Sequence, residues 1–261
     1  MILRHLKKLK ADIALLQETH LEEQDFWRMQ RQLVGQVLGS ALVERKAGVM
    51  IQLHKNLQYT LVNNDVDGEG RLLKVELQLA GGQMLIYNVY SPNTAQAGFY
   101  QALENSLLQN KGPPMLVAGD FNRVCNNLEE RKHVGQTKSQ LNPEGSHTVT
   151  PWIEATGLVD IWRHHHPVDR KYSYYSHSQQ SWSRIDYILA STDVVSRSQK
   201  NEVADIVISD LAPMWLEIAE TFPRGSDNVW RMPSHLTTDE DFIDRLKGWW
   251  LEYSQDNESH R

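Results

Sequence analysis

One cysteine, Cys125, in a chain of 261 residues excludes an internal disulfide and any zinc cluster built on several thiolates, and makes a reducing compartment the default. Long apolar runs are also missing. No stretch approaches the ~18 uninterrupted apolar residues of a spanning helix, and the opening Met1-Ile2-Leu3-Arg4-His5-Leu6-Lys7-Lys8 lacks the apolar core of a secretory leader. A basic excess is absent as well: 27 Lys and Arg stand against 33 Asp and Glu, a formal net charge of −6. That excludes a grip on nucleic acid by bulk charge, which demands a positive surplus. It leaves open a local basic face, or a polyanion held through a divalent cation on carboxylates. Nothing repeats at a fixed period. What is present is 40% hydrophobic and 23% charged residues, an ordinary globular balance, in a length that suits one large domain or two small ones. The expectation is a nuclear or cytoplasmic monomer with no membrane partner.

Apolar residues at 2, 3, 6 and 9 have helical spacing, and the run Ala11-Asp12-Ile13-Ala14-Leu15-Leu16 then predicts a buried strand that delivers Gln17 and Glu18 at its end. Val43 and the stretch Ala47 to Leu53 suggest a strand pair, and Leu57 to Val62 a further strand before an Asn63-Asn64-Asp65 turn. Leu73, Val75, Leu77 and Leu79 alternate with polar residues, and Gly81-Gly82 leads into Met84 to Tyr90, the pattern of a hairpin. Phe99 to Leu108 reads as a helix, ended by Pro113-Pro114 before the strand Met115 to Ala118. Residues 126–150 read as loop with a short helix, and Trp152 to Leu158 as another helical turn. Tyr172 to Tyr175, Ile185 to Leu189, Ile206 to Ile208 and Trp215 to Ile218 supply later strands. Residues 223–261 read as a linker followed by an amphipathic helix with apolar positions 242, 246, 249 and 253, leaving 1–222 as the main domain. Hairpins with interspersed helices favour an α+β sandwich over strict βαβ alternation.

Acidic residues recur where strands give way to loops: Glu18 in Gln17-Glu18-Thr19-His20-Leu21, Asp120 in Gly119-Asp120-Phe121-Asn122, and Asp210 after Ser209. Asp186 and Arg184 fall inside or beside the apolar strand Ile185 to Leu189. A carboxylate in such a place is desolvated unless it gains a cation or hydrogen bonds, so it is costly to keep for packing alone. Each cluster taken singly is more often an ordinary turn. If the strand ends converge, Glu18 and Asp210 can share one Mg²⁺ or Mn²⁺, with Asp120 and Asn122 addressing a water and a phosphate.

Leu16-Gln17-Glu18-Thr19-His20, Asn88-Val89-Tyr90-Ser91-Pro92-Asn93, Gly119-Asp120-Phe121-Asn122, Ser183-Arg184-Ile185-Asp186-Tyr187-Ile188-Leu189 and Ser209-Asp210-Leu211-Ala212-Pro213 resemble, in that order, the motifs of the endonuclease/exonuclease/phosphatase superfamily. Gln17-Glu18-Thr19-His20-Leu21 and the later Trp230-Arg231 are most similar to the apurinic-type endonuclease of LINE-type (non-LTR) retrotransposons. The resemblance implies a four-layered, DNase I-like α/β sandwich and a Mg²⁺-dependent hydrolase of DNA phosphodiesters. It implies that Glu18 and Asp210 hold the metal, that Asp120 orients the water or protonates the leaving oxygen, and that Asn122 and Tyr90 hydrogen-bond the scissile phosphate. Asp186 would orient a histidine, and Asn93, Arg184, Ser209 and Trp182 would contact phosphate or DNA.

Two departures stand out. The family's histidine follows Ser-Asp directly, and here that residue is Leu211, which neither accepts a proton nor donates to a phosphate oxygen. Family members also begin with a strand carrying an Asn, whereas Met1 here falls in the following helix, so the strand at 13–17 is expected to present an unpaired edge. The reading is a truncated and impaired nuclease, with a catalytically inactive DNA- or protein-binding remnant as the alternative. His164-His165-His166 is read as structural, because consecutive side chains diverge. Cys125 is read as a small half-buried hydrophobe.

Overall fold

The structure, a computed structural model, describes residues 11–32, 35–39, 47–94, 97–110, 112–125, 130–133, 149–206, 209–219 and 241–249. Its elements are β1 (Ile13–Leu16), α1 (Glu23–Gln32), β2 (Gly35–Gly39), β3 (Met50–His54), β4 (Tyr59–Val66), β5 (Leu72–Leu79), β6 (Gly82–Tyr90), α2 (Ala97–Gln109) and β7 (Met115–Asp120). There follow β8 (Arg131–His133), α3 (Thr150–Thr156), β9 (Val159–Asp160), α4 (Ile161–His165), β10 (Tyr174–Ser176), β11 (Ser181–Ser183), β12 (Asp186–Ala190), α5 (Thr192–Val195), β13 (Ser198–Val203) and β14 (Met214–Ile218).

The larger sheet has six strands in the order β4-β5-β6-β7-β12-β9. The β5–β6 hairpin seeds it, with Leu79 opposite Gly82. β7 joins β6 in parallel after the crossover through α2, and β12 returns antiparallel to β7. Alternation sorts the side chains. Leu85, Tyr87 and Val89, with Val117, Tyr187 and Leu189, face α2 and α3, where Tyr100, Leu103, Leu107 and Trp152 cover them. Met84, Ile86, Leu116, Ala118, Ile188 and Ala190 face the other way, into the core shared with β3 and with Ile13, Leu15, Met214, Leu216 and Ile218. The second layer is therefore the sheet β1-β3-β2 together with the pair β13-β14. Its outer face, at Leu16, Val37 and Met50, is covered by Leu21 and by Met29 of α1. Helices, sheet, sheets and helix make four layers of an α+β sandwich.

Among the described residues β1 pairs with β3 alone and forms the rim of its sheet. The polar run Asn63-Asn64-Asp65 is not a turn: β4 carries on through it to Val66. β4 is an edge strand with a register shift between Leu61 and Asn63, and a bulged edge open to solvent accepts polar residues that a central strand would not. The strand that pairs with β3 on its far side is β2, whereas Val43 lies outside the described residues. So do the expected helix at 2–9 and the linker at 223–236, while 241–249 are helical. Ala204 to Ile206 are irregular and 207–208 lie outside the description. The strand before Asp210 is instead the polar β13, antiparallel to β14.

Gly119 shows how tightly β6 and β7 approach. Its φ is +142, and a Cβ there would stand 2.0 Å from the Val89 carbonyl oxygen. Gly119→Ala is expected to cost about 2–4 kcal/mol through strain and strand separation; a denaturation midpoint matching the native protein would contradict this close approach.

Candidate active site

The face of the large sheet that lines the sandwich interior is apolar until the strands end. Continuing the same alternation past Ile86, Ala118 and Ile188 places Asn88 and Tyr90 of β6, Asp120 of β7 and Asp186 of β12 on that face, at one rim. Register fixes their neighbours: Tyr90 is opposite Asp120, and Asp120 is opposite Asp186. Asp120 is 2% and Asp186 8% exposed, so two carboxyl groups are buried side by side.

The loop after β7 is shaped around Asp120. The Asn122 backbone N–H donates to Asp120 Oδ1 at 2.7 Å, Asn122 adopts φ 51, and its side-chain Nδ2 donates to the Ser91 carbonyl at 2.6 Å. Ser91 N–H in turn donates to the Asp120 carbonyl at 2.8 Å. Asp186 is held from the other side. Ser173 Oγ accepts from the Ile185 and Asp186 backbone N–H groups at 3.0 and 3.1 Å and is hydrogen-bonded to the Asp186 carboxylate. Asp186 Oδ2 is buried and meets no hydrogen-bond partner among the described residues.

Asp210 comes from the β13–β14 loop. Its carbonyl accepts from Tyr175 N–H at 3.4 Å, and Ala212 N–H donates to the Ser173 carbonyl at 2.7 Å, so the loop is laced to the segment that grips Asp186. Leu211 forms a bridge with Tyr174. An apolar side chain stands in this loop, beside the segment of Ser173 and Tyr174, while Asp186 Oδ2 is left without a donor among the described residues.

Glu18 follows β1 with φ 50 and is exposed. Its position is set by Asn88, a fully buried amide that donates to the Leu16 and Met50 carbonyls at 3.0 and 2.9 Å and accepts from Gln17 Nε2 at 2.5 Å. Glu18 is also hydrogen-bonded to Tyr90, whose phenol burial and Glu18 together hold well above its ordinary pKa. His20 Nε2 stands 3.7 Å from Glu18 Oε2.

Charge concentrates here. Burial, and then the negative charges of Glu18 and Asp210, push Asp120 up to about 7, with the Asn122 N–H acting in the opposite sense. Burial and then the neighbouring Asp120 raise Asp186 well above the usual carboxylate range; Ser173 opposes the shift, and Glu18 and Asp210 add to it. Glu18 and Asp210 thus both lie within electrostatic reach of both buried aspartates. Among the described residues no three of these acids bring ligand atoms within 4.8 Å of one another, so the rim gathers negative charge without a closed ligand shell; its hard oxygen donors are of the kind that a divalent cation of the Mg²⁺, Mn²⁺ or Ca²⁺ type takes.

Glu18, Tyr90, Asp120, Asn122, Asp186 and Asp210 are therefore brought together. Asn93 lies exposed in the loop after β6. The Ser209 hydroxyl is turned back on its own loop, accepting from Leu211 N–H at 3.1 Å. Trp182 on β11 packs against Tyr175 with ring centroids 4.4 Å apart. Arg184 corrects the expectation of a DNA-contacting cation: it is 0% exposed, ion-paired with Glu130 and with Asp160 at 2.6 Å, and flanked by the rings of Trp162 and Tyr187 at 5.0 and 4.5 Å. No phosphate can reach it. Cys125, Glu130 and Asp160 also cluster closely enough to suggest metal ligands, but the Arg184 guanidinium already supplies their cation. Burial, then Glu130 and Asp160, push the Cys125 thiol up to about 12, so it stays protonated. The histidine run is occupied too: His165 Nε2 meets Ser198 Oγ at 2.7 Å, and His166 meets Asp169 at 3.0 Å and the Asn201 carbonyl at 2.9 Å.

Sequence reasoning passes over Asn88 and Ser173. An asparagine inside the apolar run from Met84 to Tyr90 is itself a signal, because a buried amide demands partners. Ser173 carries none; only the tertiary fold brings it under Asp186.

A family model described as Endonuclease/Exonuclease/phosphatase family matches residues 1–227. A curated exodeoxyribonuclease of Streptococcus pneumoniae is 24% identical over 252 residues, covering 83% of this chain and 90% of the relative. Among solved structures, an AP endonuclease from Leishmania major is similar with a TM-score of 0.67 at 17% identity, covering 84% of this chain and 81% of that one. The APE2 catalytic domain of Xenopus laevis gives 0.62 at 18% identity, covering 87% and 89%. A 3′ phosphatase from Neisseria, bound to a product DNA hairpin, gives 0.65 at 18% identity, covering 84% and 93%. These likenesses establish the fold.

Two outcomes are expected. The folded state holds the Asp120 proton up to about 7, whereas an unfolded aspartate releases it near ~4. Without divalent cations, native stability therefore falls between about pH 4 and 7. Asp120→Asn, which cannot ionise, escapes that fall, so in thermal melts with a chelator it is more stable than the native chain above pH 7 and the gap closes below about pH 4. A pH-independent gap would refute the charge clustering. Arg184→Met strands Glu130 and Asp160 and is expected to cost about 3–5 kcal/mol in chemical denaturation.

Proposed function

The chain belongs to the endonuclease/exonuclease/phosphatase family, and from that membership we propose that it is a DNA phosphodiester hydrolase of endonuclease type, descended from a LINE-type retrotransposon and slowed by Leu211. The observation that carries the proposal is the pair of buried carboxyl groups, Asp120 and Asp186, sharing one rim with Glu18 and Asp210.

Glu18 and Asp210 are the proposed ligands of Mg²⁺ or Mn²⁺, which when bound polarises a phosphoryl oxygen and neutralises developing negative charge. Asp120, with its carboxyl at about 7, changes protonation near neutrality and suits orienting the attacking water or returning a proton to the leaving oxygen. Tyr90 keeps its phenolic proton, here given to Glu18; to serve the phosphate, that single O–H would have to turn away from Glu18. Asn122, fixed by its bond to Ser91, retains a second amide hydrogen for the same purpose. Asn93, Ser209 and Trp182 belong to the surface over which the DNA strand would pass.

Asp186 is the member left idle. In the family pattern its carboxylate orients a histidine that Leu211 replaces here, and an Oδ2 with no hydrogen-bond partner among the described residues supports that reading. Removing a positioned acid/base group typically lowers a rate by ~10²–10⁴. The same feature favours a second reading, a DNA-binding remnant without turnover.

A supercoiled-plasmid nicking assay with Mg²⁺ separates the two. Slow nicking by the native chain, abolished by Asp120→Asn and raised on the order of 10²-fold by Leu211→His, is expected. Tight, metal-independent and salt-sensitive binding with no nicking by either chain would establish the remnant instead.

A further inference from the structure

One hydroxyl on α2 reaches the active-site loops from the helix side. Tyr100 is 7% exposed. Its ring is held by the Trp152 ring, edge-on with centroids 5.8 Å apart, and by the Arg123 guanidinium, 4.6 Å from the ring centroid. The hydroxyl donates to the Phe121 carbonyl at 2.9 Å and accepts from Ser91 Oγ at 3.2 Å. Burial pushes the phenol up to about 12, so the donated proton is in place at neutral pH. A phenylalanine would fill the same apolar space with no polar group to satisfy.

The acceptor sets this tyrosine apart. The Phe121 carbonyl belongs to the same peptide unit as the Asn122 N–H, and that N–H donates to Asp120 Oδ1 at 2.7 Å. A trans peptide is planar, with its C=O and N–H pointing in opposite directions, so a hold on the oxygen sets the direction of the hydrogen. Donation to the oxygen also polarises the unit and strengthens the bond its N–H makes. The turn needs such a hold, because Asn122 sits at φ 51, in the left-handed region that is costly for a residue with a side chain. The Asn122 side chain supplies a second anchor, on the Ser91 carbonyl at 2.6 Å, and Ser91 N–H meets the Asp120 carbonyl at 2.8 Å. Ser91 thus touches Tyr100, Asn122 and Asp120, and the phenol closes the circuit from the helix.

We infer that Tyr100 is a positioning residue that, through the Phe121–Asn122 peptide, aims the N–H that orients the Asp120 carboxylate. Its bearing on rate rests on the phosphodiester reading above, in which Asp120 orients the water or returns a proton. A donor fixed on Oδ1 leaves Oδ2 for that work, and the phenol acts only through the peptide between them.

The test uses the full chain with phenylalanine labelled at its carbonyl carbon and asparagine at its backbone nitrogen. Phe121 is the one phenylalanine followed by asparagine, so a carbonyl-to-nitrogen NMR correlation reports this peptide unit by itself. With a chelator present, the Asn122 amide proton is expected downfield, as a donor to a carboxylate, and Tyr100→Phe is expected to move it upfield together with the Phe121 carbonyl carbon. Leu107→Ala, a buried change further along α2, is expected to lower the melting temperature and leave both resonances in place. In plasmid nicking with Mg²⁺, Tyr100→Phe is expected to lower kcat about five- to tenfold at unchanged KM, the equivalent of one neutral hydrogen bond, and Leu107→Ala to keep both constants native. An Asn122 amide that stays in place in Tyr100→Phe, or moves as far in Leu107→Ala, would overturn the inference, as would a native kcat alongside a shifted amide. Absence of nicking by the native chain would overturn the phosphodiester reading instead, and the amide then decides by itself whether Tyr100 aims that N–H.

Discussion

Two carboxyl groups that cannot both ionise comfortably set the character of this molecule. Asp120 and Asp186 face each other across paired strands, nearly closed to water, with two further carboxylates in electrostatic range. Like charges in a poorly solvated place raise one another's pKa and oppose folding unless a cation or a proton intervenes. A chain built only for packing would place apolar residues there, as it does one step back at Ala118 and Ile188. The rim is a place where the chain gives up stability.

Elsewhere the same problem has a different solution. Glu130 is also a buried acid and Asp160 a half-buried one, yet Arg184 lies between them, and Tyr187 O–H donates to Glu130 at 2.9 Å. That cluster is neutralised internally and sealed by aromatic rings. Both clusters are dense in acidic side chains; the resident guanidinium distinguishes the neutralised cluster from the uncompensated one.

Much of this is legible along the chain. The alternation in 72–79 and 82–90 gives the hairpin, and the strands at 115–120 and 186–190 carry acids at their ends because apolar residues two apart run out there. Their gathering follows once register is known. The misplacements have physical causes. Arg184, two residues before Asp186, reads like part of an active-site motif, and strand alternation would put both on one face; but Arg184 and Ile185 lie in the irregular link between β11 and β12, where the period of two does not hold, and Arg184 is buried between Trp162 and Tyr187. Polar strands such as β13 have no hydrophobic period to betray them, and their pairing is decided by β14. The Asn63-Asn64-Asp65 run has turn-forming residues, and edge pairing with β5 overrides them. Ser173 is invisible because its only distinction is where the chain returns.

Asn88 joins the two layers. Its amide reaches from the large sheet to the main-chain carbonyls of two strands in the other, one step from Glu18. Sliding either sheet by a residue would strip several hydrogen bonds from a group with no access to water, so the layers are latched against slippage. The spacing between Glu18 and the buried aspartates is thereby inherited from the folded core instead of being assembled when a ligand arrives, and local breathing at this rim must wait for the sandwich to open as a cooperative unit.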